Sequence, residues 1–266
     1  MEKSDKLQLI YEEAYNFLKS KVGEDILKKH LDYYHNCNAD SIRDVFKQMV
    51  QTLKNKQGYV NFIADVEAMR DILQEYDPQH IVTSYKNKWE NLFLEFKKIF
   101  GKSYKMDISN KRNAWVIYSK GVLSCATFLS NFKGFKDFDK FVKSFFLNEF
   151  TIAALPMLLE KEIFGFGFPL ACDFLKELGY YQYGKPDVHL KDIFMELNLV
   201  DSRSDYEIFK KIVKIGLIVK QDPVIVDKIF WLIGSGKFHI SEISIGSRKQ
   251  EFINLMKKKH TTTGCR

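Results

Sequence analysis

The sequence FGFGFPLACDFLKELGYYQYGKPDVH, residues 164–189, holds two turns and the starts of two helices. Gly165 and Gly167 bracket Phe166, and two glycines one residue apart admit backbone geometry that other residues resist. Phe168-Pro169 then opens a helix, since proline near the first helical position has no N–H to lose there. Leu170, Ala171, Phe174, Leu175 and Leu178 recur at three- and four-residue steps and form its buried face. Gly179 suits the C-terminal cap. A second turn, Tyr183-Gly184-Lys185-Pro186, leads to Asp187, which precedes the apolar run Val188, Leu190, Ile193, Phe194 and Leu197.

Each turn has a structural and a chemical reading. A glycine turn at a helix N-terminus leaves N–H groups unpaired, and these suit a phosphate oxygen. The same turn also serves as a plain connection between helices. Asp187 is a good N-cap. A carboxylate near a sugar also stabilises a developing oxocarbenium-like cation or orients a water. The residues alone leave both readings open.

Outward from this stretch the pattern stays helical. Leu7, Ile10, Tyr11, Ala14, Phe17 and Leu18 mark a helix within 5–35, with Gly23 as its interruption. After the polar segment 35–41, Asp40 or Ser41 caps a helix through Val45, Phe46, Met49, Val50 and Leu53. Further helical runs are expected over Val60–Leu73, closed by Asp77-Pro78, and over 80–100, closed by Gly101. The lysine-bearing segment 101–111 is a break: a linker, a loop, or a basic surface facing nucleic acid. Beyond it lie the runs 115–132, 138–146, 152–163, 188–197, 205–219, 223–233 and 248–259. Residues 239–247 alternate only weakly, and no hairpin or repeat signal appears. The chain reads as all-α, with ten or more helices.

The 266 residues suffice for one large domain or two small ones, each with a core. Phe 23 and Tyr 13 against Trp 3 mean that rings fill much of that core. A formal charge of +7 favours a polyanionic partner without proving one. Cys37, Cys125, Cys172 and Cys265 have no metal spacing and suit a reducing, intracellular (cytoplasmic) compartment. The N-terminal residues lack a signal-peptide pattern, and no run approaches a membrane span.

The order of the two turns resembles the helix-hairpin-helix DNA glycosylase superfamily. That family has a hairpin of the form L-P-G-(V/I)-G-x-x-(T/A)-A, followed by a (V/P)-D-(T/V)-H motif whose Asp is catalytic. Here the counterparts are Ile163 to Ala171 and Pro186-Asp187-Val188-His189, with Gly165, Gly167, Ala171, Asp187 and His189 matching in order. The likeness covers about 115–235. It implies a multi-helix glycosylase-like fold with a groove between helical subdomains, divided as 1–106, a core at 107–247, and a basic helix and tail at 248–266. It implies duplex DNA as partner, a monomer, and extrusion of one damaged or mispaired nucleotide. Asp187 would be catalytic for cleavage of the sugar–base bond. Gly165, Phe166, Gly167, Phe168 and His189 would contact DNA. A monovalent cation is expected at the carbonyls of Phe164 and Phe166, and no side-chain metal site.

Bifunctional relatives carry a lysine where this chain has Pro169, so a Schiff-base lyase step has no amine at that position. Lys176 and Lys185 do not align with it. The four clustered cysteines of the iron–sulfur branch are missing, and Phe164 replaces the usual proline. Trp89, Trp115, Tyr118 and Trp231 are candidates for stacking on an extruded base, with core packing as the alternative. Tyr180-Tyr181 are placed at the pocket mouth, and the lysines of 248–259 on phosphates or in solvent. The rivals to a monofunctional glycosylase are a non-catalytic helix-hairpin-helix DNA-binding protein and an all-α protein scaffold.

Overall fold

Helices form where the apolar stripes predict them and where a cap stands at the start. In a computed structural model, residues 3–33, 39–56, 59 and 61–263 are described. Cys37, Gly58, Val60, Cys265 and most of the polar segment 35–41 lie outside them, as does the end of the tail. The helices are α1 (Lys3–Val22), α2 (Glu24–Leu31), α3 (Ile42–Lys54), α4 (Pro78–Ser84), α5 (Trp89–Phe100), α6 (Ala114–Leu129) and α7 (Phe135–Lys143). They continue with α8 (Glu149–Glu162), α9 (Phe168–Glu177), α10 (Val188–Glu196), α11 (Asp205–Val219), α12 (Pro223–Ser235) and α13 (Lys249–Thr263). The protein is mostly α-helical. No helix among the described residues is long and apolar enough to cross a membrane.

Several caps act as the sequence predicts. Gly23, at φ 84°, separates α1 from α2. Ser41 closes a capping box with Asp44 at the start of α3. Gly179 stands just past α9 at φ 92°. Three expectations are corrected. The run expected as a helix up to Leu73 is a series of turns with short 3-10 segments at Glu67–Met69 and Gln74–Tyr76, the latter with Gln74, Glu75 and Tyr76 all left-handed. Ile63, Val66, Met69 and Leu73 are nevertheless buried, so their spacing marks one inward side rather than a continuous helix. The run 80–100 is two helices, because Lys86 and Asn87 turn left-handed after α4. Two short strands, β1 (Lys237–Phe238) and β2 (Ile243–Ser244), pair antiparallel with Phe238 opposite Ile243.

The chain divides into two compact units, 38–178 and a discontinuous unit of 1–37 with 179–266. These bounds differ from the linear division at 106/107 and 247/248. The segment 101–113 joins α5 to α6 inside one unit, so it is a loop. In the 38–178 unit, α6 is the central helix, with α3, α4 and α5 packed on it and α8 against α9. Its core is aromatic: Phe46, Phe93, Phe96, Trp115, Tyr118, Phe138 and Phe174 are fully buried. In the discontinuous unit, α12 is central, packed by α1, α10, α11 and α13. Its core joins Leu7 and Phe17 to Phe194, Ile229, Phe230, Phe252 and Met256.

Candidate functional site

The hairpin between α8 and α9 belongs to the 38–178 unit. Ile163, Phe166 and Phe168 are buried at 1%, 6% and 4% exposure, and Phe164 is left out at 48%. Burying a phenylalanine contributes about 1.5–3 kcal/mol, so the two inward rings hold the turn to its core. Phe166 meets Phe174 edge-on at 5.9 Å. Its N–H donates to Ile163 O at 3.2 Å and closes the turn. Phe166 and Phe168 therefore offer no ring to DNA, and the Phe166 amide is already engaged.

Ser124 on α6 ties the hairpin down. Its hydroxyl accepts from Phe164 N–H at 2.9 Å and donates to Glu162 O at 3.1 Å. Gly165, at φ 91°, needs the left-handed region that favours glycine. Gly121 lets the Phe164 carbonyl approach α6: a Cβ there would lie 3.0 Å from that oxygen. Of the two carbonyls expected at a cation, this one faces α6. Gly167 is the N-cap of α9 with extended backbone and no side-chain capping bond. A Cβ at Gly167 would touch only the Pro169 ring, at 3.9 Å. The start of α9 thus keeps its amides uncapped by a side chain and lies open on the glycine side. Pro169 stands in the first turn of α9, where no amine is supplied.

Asp187 lies in the discontinuous unit, half-buried, as the N-cap of α10. Its Oδ1 accepts from His189 N–H at 2.8 Å and Leu190 N–H at 3.2 Å. No donor reaches Oδ2 among the described residues. The turn that carries Asp187 is clamped from behind. Lys185 N–H donates to Asp227 Oδ2 at 2.8 Å, and Val224 N–H donates to Tyr181 O at 3.1 Å. A Cβ at Gly184 would sit 2.7 Å from Pro223 O and 2.7 Å from the Ile212 side chain. Gly184 is there because the backbone runs against α11 and α12. Asp227 is a residue that the turn motifs did not reveal. Its signal was a lone acid inside the apolar run PVIVDKIFWLIG of α12.

His189 contributes its backbone N–H to Asp187, while its ring packs on Gly234 of α12, where a Cβ would lie 2.3 Å from the His189 Cβ. Its Nδ1 is buried with no hydrogen-bond partner among the described residues. Trp115 and Tyr118 are core residues in a ring cluster with Phe96, Phe100 and Tyr104. Burial, and then the neighbouring Cys125, hold the Tyr118 hydroxyl well above its usual range. Burial likewise pushes the Cys125 thiol up and keeps it unreactive. Trp231 packs against His239 and under Lys228. Tyr180 is buried, and Tyr181 is half-buried. Lys176 is buried and paired with Asp173 at 2.9 Å. Along α13, Lys249 pairs with Asp192, Lys257 with Glu196 and Lys259 with Glu13, so these basic groups are spent on acids.

Trp89 differs from the other three candidate rings. It is half-exposed and lines an open cavity of about 510 Å³ with Lys120, Ser124, Phe128, Glu162 and the hairpin's Phe164. The basic loop has a similar freedom. Lys102, Lys105, Lys111 and Arg112 are exposed, with no carboxylate paired to them among the described residues. This loop feeds α6, which reaches Ser124 and the hairpin ten residues, or about 15 Å, after its start.

Comparison of the chain with protein-family models, with curated proteins and with solved structures finds no match.

Proposed function

We propose that the protein is a monofunctional DNA glycosylase of the helix-hairpin-helix type, acting as a monomer on a damaged or mispaired base in double-stranded DNA. The hairpin holds a phosphate at the uncapped start of α9, and the basic loop adds phosphate contacts. The Asp187 carboxylate supports departure of the base by stabilising positive charge on the sugar or by orienting water. The bond from C1′ to the base breaks, a C1′–oxygen bond to water forms, and the departing base takes up a proton. With proline at position 169, no amine at that point forms a Schiff base, and the product is an intact abasic strand.

The observation that carries this reading is the state of Asp187. One oxygen is fixed by two backbone amides, the other has no donor among the described residues, and the turn beneath is clamped by Asp227. The test is a panel of duplex oligonucleotides carrying uracil, oxidised guanine, alkylated adenine and single mismatches, scored for abasic sites. At least one is expected to yield product, lost in Asp187→Asn. Folded protein with no product from any duplex overturns the assignment.

The capping bonds of Asp187 also support a second reading, a non-catalytic helix-hairpin-helix DNA-binding protein in which this carboxylate only starts α10. Duplex binding that falls with salt, without product, selects it.

A further inference from the structure

The cavity beside the hairpin has no part in the chemistry assigned to Asp187. Its volume of about 510 Å³ lies within the range of small-ligand sites, about 300–1,000 Å³. Three of its walls are rings: Trp89 at the start of α5, Phe128 on α6, and Phe164 in the hairpin. Phe164 stays 48% exposed although Ile163, Phe166 and Phe168 around it are buried. The Ser124 hydroxyl accepts from the Phe164 backbone N–H and fixes the main chain that carries this ring.

The polar groups divide into those already used and those left for a ligand. Thr127 donates to Leu123 O, Asn131 donates to Thr127 O and Phe128 O, and Ser124 is committed to the hairpin. Asn87 Oδ1 accepts from Thr127, so Lys120, Glu162 and the Asn87 amide nitrogen remain. The Lys120 ammonium lies 4.6 Å from the Trp89 ring centre and 5.7 Å from that of Phe164, and no carboxylate pairs with it among the described residues. The Glu162 carboxylate is exposed at the rim. Flat π-faces, a cation without an acid, and one acceptor together match a planar heterocycle bearing an exocyclic amine and an attached phosphate.

We infer that this cavity is a second nucleic-acid subsite, which takes an unpaired nucleotide of a DNA strand outside the base-release site. The base stacks on Trp89 and Phe164, Lys120 meets the phosphate, and Glu162 accepts from the amine of adenine or cytosine. The choice of a DNA strand as its source rests on the hairpin reading above. Stacking on aromatic side chains tolerates any base, and Glu162 adds a bias toward amine-bearing ones.

The full chain is tested in two ways. Deoxyadenosine monophosphate is titrated against tryptophan fluorescence, and the affinity of a blunt duplex is compared with that of the same duplex carrying a three-adenine 3′ overhang. Deoxyadenosine monophosphate is expected to quench Trp89, more tightly than thymidine monophosphate, and the effect is expected to weaken in Phe164→Leu and Lys120→Gln. The overhang duplex is expected to bind about tenfold tighter than the blunt one, as stacking of one or more bases gives. Trp89→Leu removes that preference and leaves blunt-duplex affinity and thermal stability unchanged. Equal affinity for blunt and overhang DNA, with no nucleotide quenching, overturns the proposal and leaves the hairpin reading standing. Quenching that needs Phe164 and Lys120, without any blunt-duplex binding, supports the nucleotide subsite and removes the hairpin reading instead.

Discussion

The hairpin at 163–171 and the turn at 183–190 look alike in sequence, and the protein builds them for different ends. Both put glycine just ahead of a helix. In the hairpin, Gly165 supplies a left-handed backbone and Gly167 leaves open space before an uncapped helix start. In the second turn, Gly184 removes a side chain where backbone meets backbone, and a carboxylate fills the helix start. One helix start has no side-chain cap. The other is satisfied from within, with one oxygen to spare.

Asp187→Asn presses hardest on this difference. Asparagine caps about as well as aspartate, so stability should change by only a few tenths of a kcal/mol. Base release should fall by about a hundredfold or more, as for loss of a general acid–base group. Single-turnover assays beside thermal melts separate the two effects. A matching fall in stability and rate would reduce Asp187 to a cap.

Gly184→Ala comes next. Its methyl would meet Pro223 O and Ile212, and overpacking of this kind costs about 1–3 kcal/mol. Gly165→Ala should cost about 1–2 kcal/mol for a different reason, the left-handed backbone. Gly167→Ala should cost less, about 0.5–1 kcal/mol for the poorer N-cap, yet weaken duplex affinity by crowding the open side of α9. Denaturant titrations and binding isotherms on the three variants check the series. Equal stability losses at 165 and 167 would erase the distinction between a strained turn and an open one.

The smallest effect concerns pH at the far side of α10. Burial raises the Asp192 carboxyl, but hydrogen bonds from Lys249 and Arg203 outweigh it and hold the group below its ordinary range. A lowered folded pKa stabilises above the unfolded value, near 4, and that contribution is lost as pH falls below it. Lys249→Met should therefore lower the melting temperature slightly at neutral pH, where this contribution is present, and the difference from wild type should shrink as pH falls below about 4. An unchanged acid limb would show that this pair contributes nothing measurable.

Much of the helical framework was legible because caps and stops are written in single letters. Gly23, Ser41, Gly179 and Asp187 each mark an end. What escaped was structure that uses no marked letter. The left-handed end of α4 is made by Lys86 and Asn87, and the turns before it by Gln74, Glu75 and Tyr76, none of them glycine. The apolar spacing of Ile63 to Leu73 reports burial, which turns satisfy as well as a helix does. At the candidate sites, the glycines and Asp187 stood out by motif. Asp227 and Lys120 did not, although Asp227 is the lone acid of α12 and Lys120 the lone charge of α6. A charge placed where the stripe calls for hydrocarbon was the sign available, and here each faces a turn or ring that needs it.

The insertion of residues 38–178 between two parts of one unit has a consequence for synthesis. Helix α1 emerges early, but its partners α11 and α12 lie roughly 180 residues further on. At about 5–20 residues per second, α1 waits some 10–40 s, on the order of half a minute, with its apolar side unmatched. The inserted unit is continuous, so it can fold on the ribosome during that interval. The nascent chain has all of the hairpin's unit in hand before it has the last helices of the unit that carries Asp187.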